Sequence, residues 1–191
     1  LSVTDKAPVS DWQSADDGRK TITVENLLRM NAGFGFDEGG GASIATHMWY
    51  GQPDTAAFAA TAEMQSAPGT RWGYSSRSFT LLSRIISDRL NARPETLRDF
   101  AWRELFGPLG MKSFTPEFDA VGTFMGAQAS FATPRDWARF GQLYLDDGVV
   151  AGHRILPEGW VKWTTTPTPG SGYGAGFWLN NTDDMIEPWG M

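Results

Sequence analysis

Tyr173 to Leu179, reading Tyr-Gly-Ala-Gly-Phe-Trp-Leu, is the one convincing strand in a chain otherwise dominated by helical patterns. A strand exposes a row of backbone N–H and C=O groups, and a lone strand has nothing to pair them with. The chain is therefore either all-helical, or its sheet draws on strands outside these 191 residues. Only weak β signals, near Val149–Leu156, accompany the strand.

The helices announce themselves by caps and spacing. Thr23 is a good N-cap for a short helix carrying Val24, Leu27, Leu28 and Met30. An Ala-rich helix is expected from Asp54 to Met64, ending before the Pro68-Gly69 turn. A stronger one follows Ser75-Ser76, with Phe79, Leu82, Ile85, Ile86 and Leu90 at steps of three and four. Leu97, Phe100, Ala101 and Leu105 repeat the pattern up to Gly107-Pro108. Thr133-Pro134-Arg135-Asp136 combines a cap, proline in the first helical position and an acid three residues after the cap. That helix is expected to bury Trp137, Phe140 and Tyr144 and to end at Asp147-Gly148; a short one follows around Glu158 to Trp163. Residues 1–20 read as loop, and Gly33 to Gly41 as a flexible loop with Phe34 and Phe36 in it.

Composition removes several classes of function. With Lys+Arg 16 against Asp+Glu 22, the net charge is −6, which opposes nucleic-acid binding. The absence of cysteine excludes disulfides, thiolate metal sites and a cysteine nucleophile. No apolar run reaches the ~20 residues of a membrane span. His47 and His153 stand far apart in no metal-ligand spacing, and the doublets Asp16-Asp17, Asp146-Asp147 and Asp183-Asp184 read as turns and helix ends. Gly33-x-Gly35 lacks the further glycine of a phosphate loop, and Gly39-Gly40-Gly41 reads as a hinge or surface loop. No cofactor is expected. Gly73-Tyr74-Ser75-Ser76-Arg77 imitates a nucleophile elbow, but Arg77 fills the place of its last glycine and no strand precedes the serine.

Those residues fit another pattern. Pro68-Gly69-x-x-Trp72-x-Tyr74-Ser75-Ser76 ahead of an amphipathic helix resembles the tyrosine motif of the serine β-lactamase and penicillin-binding-protein-like hydrolases. The branch is that of class C β-lactamases, esterases and 6-aminohexanoate-dimer hydrolases. Further runs follow in the family's order: Thr23 to Leu28 with Ala32-Gly33, Leu105-Phe106-x-Pro108-Leu109-Gly110-Met111, Ala132 to Gly141, Ile155-Leu156-Pro157-Glu158-x-Trp160-Val161, and Tyr173-Gly174-x-Gly176-Phe177-Trp178.

The resemblance implies an α+β, β-lactamase/transpeptidase-like fold, of which residues 1–191 form the central, mostly helical part of a single domain with at least one strand of the antiparallel sheet. It implies a serine hydrolase cleaving a small-molecule ester or amide through an acyl-enzyme. By resemblance Tyr74 moves the proton between nucleophile and leaving group. Ser76 takes the third motif position, usually an asparagine that hydrogen-bonds substrate or the neighbouring lysine. The family's Ser-x-x-Lys and Lys-Thr-Gly-type triplet do not occur, and are expected before Leu1 and after Met191. Residues 1–191 alone are therefore expected to be inactive, with an open sheet edge or a gap where other segments pack. The alternative is a binding module for acyl or peptidoglycan-type ligands without turnover. Relatives of this kind favour the bacterial periplasm; oligomeric state is unread.

Overall fold

The computed structural model describes residues 1–13, 18–35, 38–39, 41–91 and 95–179. Phe36, Gly40 and the doublets Asp16-Asp17 and Asp183-Asp184 lie outside them. The described helices are α1 (Val24–Leu28), α2 (Ile44–Gly51), α3 (Thr55–Ala60), α4 (Ser76–Leu90), α5 (Leu97–Ala101), α6 (Gly107–Leu109), α7 (Pro134–Leu145) and α8 (Trp160–Thr164). Two short antiparallel ladders complete them. β1 (Thr115–Pro116) pairs with β2 (Ser130–Phe131), and β3 (Val149–Val150) with β4 (His153–Arg154). Ala151 and Gly152 join the second pair with φ of 48° and 81°, the double left-handed turn that matches strand twist in a tight hairpin.

The caps act as their sequences indicate. Thr23 accepts from the Asn26 backbone N–H while the Asn26 side chain accepts from the Thr23 N–H, closing a box at the start of α1. The Thr133 side chain accepts from the Asp136 N–H, with Pro134 in the first turn of α7. Buried Asp136 takes the N–H and hydroxyl of Ser113 at 2.7 and 2.6 Å, tying α7 to the turn after α6.

One core lies between α1, α3 and α4, built on Trp12, Ile22, Leu27, Met48, Leu81 and Ile85. A smaller one joins α6 to α7 through Leu109, Met111 and Leu143. The chain before α1 is irregular but anchored. Trp12 is fully buried, and its indole N–H donates to the Ala60 carbonyl at 2.9 Å. Beside it the Arg19 guanidinium donates to the same oxygen at 2.6 Å.

Several expectations need correction. Tyr173 to Leu179 is no strand: Tyr173 and Trp178 face each other across a single bridge, and the Gly174 N–H donates to the Phe177 carbonyl at 2.8 Å, closing a tight turn. Gly176, at φ 85°, bends the chain where a strand would run straight. The Ala-rich helix stops at Ala60 rather than Met64, because Gln65 and Ser66 turn their N–H groups to the Gly33 carbonyl. α2, capped by the Ser43 side chain accepting from the Thr46 N–H, forms where the sequence pattern predicts no helix. The helix after Leu97 changes to a wider π-helical turn over Trp102–Phe106 before Pro108, which has no N–H to continue the regular ladder. α7 buries Asp136 and Leu143 instead, while Phe140 and Tyr144 are half-buried and Trp137 is 42% exposed, leaning edge-on against Phe114 and Phe140.

Beside α4 an apolar cavity of about 850 Å³ is lined by Leu28, Phe79, Leu82, Ile86, Phe100 and Phe124. Among the described residues no helix is long and apolar enough to cross a membrane.

Candidate active site

A helix C-terminus leaves its last carbonyls without partners inside the helix, and the residues around the end of α1 use theirs to gather the site. The Leu28 carbonyl accepts from the Gly176 N–H at 3.0 Å, and the Arg29 carbonyl from the Thr168 hydroxyl at 3.4 Å. The Met30 carbonyl takes the Gly73 N–H at 2.8 Å, and the Asn31 carbonyl takes the Gly69 N–H at 2.8 Å. Met30 turns into the left-handed region at φ 56°, so the chain leaves α1 abruptly. Two segments remote in sequence, 69–75 and 168–178, are thereby moored to one helix end.

Arg29 locks the other side. Its guanidinium bonds Glu25 at 2.6 Å and the carbonyls of Thr166 and Trp163 at 3.1 and 3.2 Å, and lies 4.5 Å over the Trp163 ring. These bonds complete the C-terminus of α8, whose Thr164 carbonyl accepts from Ala175 at 2.8 Å.

The mooring brings four aromatic rings together. Tyr74 stacks on Trp178, ring centroids 5.6 Å apart at 18°, and meets Tyr173 edge to face at 5.9 Å. Trp72 completes the group, 5.7 Å from Trp178 and 6.1 Å from Tyr173. Tyr173 is buried, Tyr74 and Trp72 half-buried, and Trp178 is 43% exposed. Burial pushes the Tyr74 phenol above its ordinary range, and the negative charge of Glu38 pushes it the same way.

Ser76 opens α4. Ser75, the residue before it, makes no side-chain cap; its hydroxyl is buried without a partner, and its N–H points to the Met30 sulfur at 3.4 Å. The cap comes instead from Glu38, which accepts from the Ser76 N–H at 2.5 Å and from the Ser76 hydroxyl at 2.7 Å. A carboxylate at a helix N-terminus complements the orphan N–H groups and the positive end of the helix dipole.

The structure thus places both sequence-named residues, Tyr74 and Ser76, at the start of α4. It adds Glu38 and Trp178, which the sequence reading did not name. Glu38 bears a faint signal, an acid within a glycine-rich loop, but nothing in the chain's order couples it to position 76. Phe34 belongs to the core, edge-on to Trp12 at 6.1 Å, rather than to the site. Gly126 packs against Ser83, further along α4. Among the described residues no cluster of His, Cys, Asp and Glu is arranged to hold a metal ion.

A family model described as Beta-lactamase matches residues 5–190. Among solved structures, a Bacillus anthracis protein assigned as a 6-aminohexanoate-dimer hydrolase superposes with TM-score 0.75 at 18% identity, over 92% of this chain and 52% of its own. A D-stereospecific amidohydrolase from Streptomyces sp. gives 0.66 at 18%, over 92% and 63%. A D-amino acid amidase from Ochrobactrum anthropi gives 0.59 at 22%, over 90% and 57%. These likenesses establish the fold, and the chain spans between half and two thirds of each of these proteins. No curated protein matches the sequence.

Proposed function

The chain belongs to the beta-lactamase family of serine hydrolases, and from that premise we propose that it is the central part of an enzyme that cleaves an ester or amide through an acyl-enzyme, its nucleophilic serine lying outside residues 1–191. The observation that carries the reading is the placement of Tyr74. A half-buried phenol at the mouth of α4, moored by the end of α1 and backed by Trp178, is held rigidly enough to exchange a proton with a reacting group.

In this reading the serine oxygen attacks the acyl carbon and loses its proton to Tyr74, which passes it to the departing alcohol or amine; water then releases the acid. The described surroundings favour the neutral phenol, since burial and Glu38 both oppose its ionisation. To accept a proton first, Tyr74 needs a positive charge beside it, which the nucleophile-bearing segment supplies in this scheme.

The test is covalent trapping in the full-length protein. A fluorescent phosphonate should label one serine, and Tyr74→Phe should slow that labelling and the turnover of p-nitrophenyl esters alike. Binding of the acyl ligand without labelling or turnover would instead identify a binding module.

A further inference from the structure

We propose that the apolar groove along α4 is the seat of a helix supplied by the stretch of the full-length chain that precedes Leu1. The inference concerns how the fold is completed and does not depend on the hydrolase reading. α4 is apolar on two sides. Leu81 and Ile85 belong to the core it shares with α1 and α3. Phe79, Leu82 and Ile86 line the groove, which Leu28 of α1 and Phe100 of α5 flank. Ile86 and Trp102 on its wall are 42% and 43% exposed, a continuous apolar surface of the kind that marks an interaction site.

The wall dictates the backbone that can cover it. Arg98 and Glu104 are its only charged side chains, and its Ser83 hydroxyl already donates to the Phe79 carbonyl at 3.0 Å. An extended segment laid there would leave its N–H and C=O groups without partners, whereas a helix pairs them internally. The groove's 850 Å³ corresponds to about seven residues of helix, roughly two turns, at a rise of ~1.5 Å and a width of ~10 Å. Leu1, Ser2 and Val3 form one rim, and the main chain there is fixed. The Val3 carbonyl accepts from the Glu25 N–H at 2.7 Å, the Asp5 carbonyl from the Val24 N–H at 3.0 Å, and the Asp5 carboxylate from the Ser2 N–H at 2.7 Å. A segment joined to Leu1 starts at the groove with no linker to cross, so its effective concentration there exceeds that of any separate molecule. The solved structures that superpose on this chain have length to supply it, since the chain spans only 52% and 63% of two of them.

The experiment places the photo-cross-linker p-benzoylphenylalanine at position 102 of the full-length protein, an aromatic for an aromatic on the groove wall. Irradiation should join position 102 to a peptide that precedes Leu1 in the same molecule, with a yield independent of protein concentration. A cross-link to a peptide beyond residue 191, to a second copy, or to no peptide at all would overturn the proposal. A second measurement compares maleimide labelling of Ile86→Cys and Tyr50→Cys in a full-length background without other cysteines; Tyr50, on α2, is 77% exposed. Ile86→Cys should label roughly tenfold or more slowly, because a covered site reacts only when it opens. Equal rates would show an open groove and overturn the proposal even where the position-102 variant fails to fold.

Discussion

The indole of Trp178 lies nearly parallel to the phenol of Tyr74, with 5.6 Å between ring centroids. The contact is made by ring faces and leaves the hydroxyl out of it, so chemistry and packing can be separated at this position. Tyr74→Phe should lower kcat of the full-length protein by about 100-fold or more, the usual scale for losing a proton-transfer group. Its melting temperature should stay within about 2 °C of wild type. Steady-state kinetics and a thermal melt check the two halves; a large fall in melting temperature would mean that the hydroxyl has a structural role.

Alkaline stability should reflect three phenols. Burial raises Tyr74, Tyr144 and, most strongly, Tyr173 above the ordinary tyrosine value. A group whose folded-state pKa lies above its unfolded one keeps its contribution below the unfolded value and loses it as pH rises towards the folded one. Melting temperature should therefore fall steeply above about pH 10, with Tyr173→Phe flattening that limb. A melt series in buffers on either side of that pH measures it, and an unaltered limb in Tyr173→Phe would refute the assignment.

Two glycines near the site should behave oppositely. A Cβ on Gly174 would stand 2.0 Å from the Thr164 carbonyl oxygen, a backbone atom with nowhere to go. On Gly73 it would meet the Phe34 carbonyl at 3.5 Å, an ordinary contact. Gly174→Ala should cost about 2–4 kcal/mol by urea unfolding, and Gly73→Ala less than about 1 kcal/mol.

The Ala60 carbonyl has two donors, Trp12 and Arg19. Either alone keeps it satisfied, so Trp12→Phe should cost about 1–2 kcal/mol and Arg19→Ala about 1 kcal/mol. Together they leave the oxygen without either donor, and the double variant should lose more than the sum. Strict additivity in denaturant unfolding would contradict this account.

Residues 1–191 expressed alone should turn over neither esters nor amides, since the sequence holds no Ser-x-x-Lys. The apolar cavity beside α4 should make that fragment bind a hydrophobic dye and melt with low cooperativity. A sharp two-state melt, or turnover abolished by Tyr74→Phe in the fragment, would refute the respective half.

What the sequence made legible was local. The caps at Thr23 and Thr133 depend on neighbours within a few positions and lie where their patterns put them; of the α4 stripe Leu82, Ile85 and Leu90 are buried, but Ile86 is exposed and Leu81, outside the stripe, is buried in the core. Tyr74 and Ser76 are candidates through an ordered resemblance in which each run carries little by itself. Glu38 was invisible because it meets Ser76 across 38 positions of chain, and no short-range regularity records such a contact. Trp137 was misplaced because an aromatic at helical spacing shows which face it occupies but not what covers that face. The 173–179 segment was misread because aromatic residues recurring around small ones look alike in a pleat and in a knot of stacked rings.

The crowding at Gly174 changes how its motif should be interpreted. Tyr-Gly-x-Gly in this chain looks like a signature of chemistry, yet its first glycine stands where the backbone passes against the Thr164 carbonyl, and its second where the chain turns through φ 85°. Neither glycine has a side chain to bring to a substrate. A comparison that rewards those letters is rewarding clearance between two stretches of main chain. Kinship inferred from them is evidence of a shared route through space, and a chain that had long since abandoned catalysis would have the same reason to retain them.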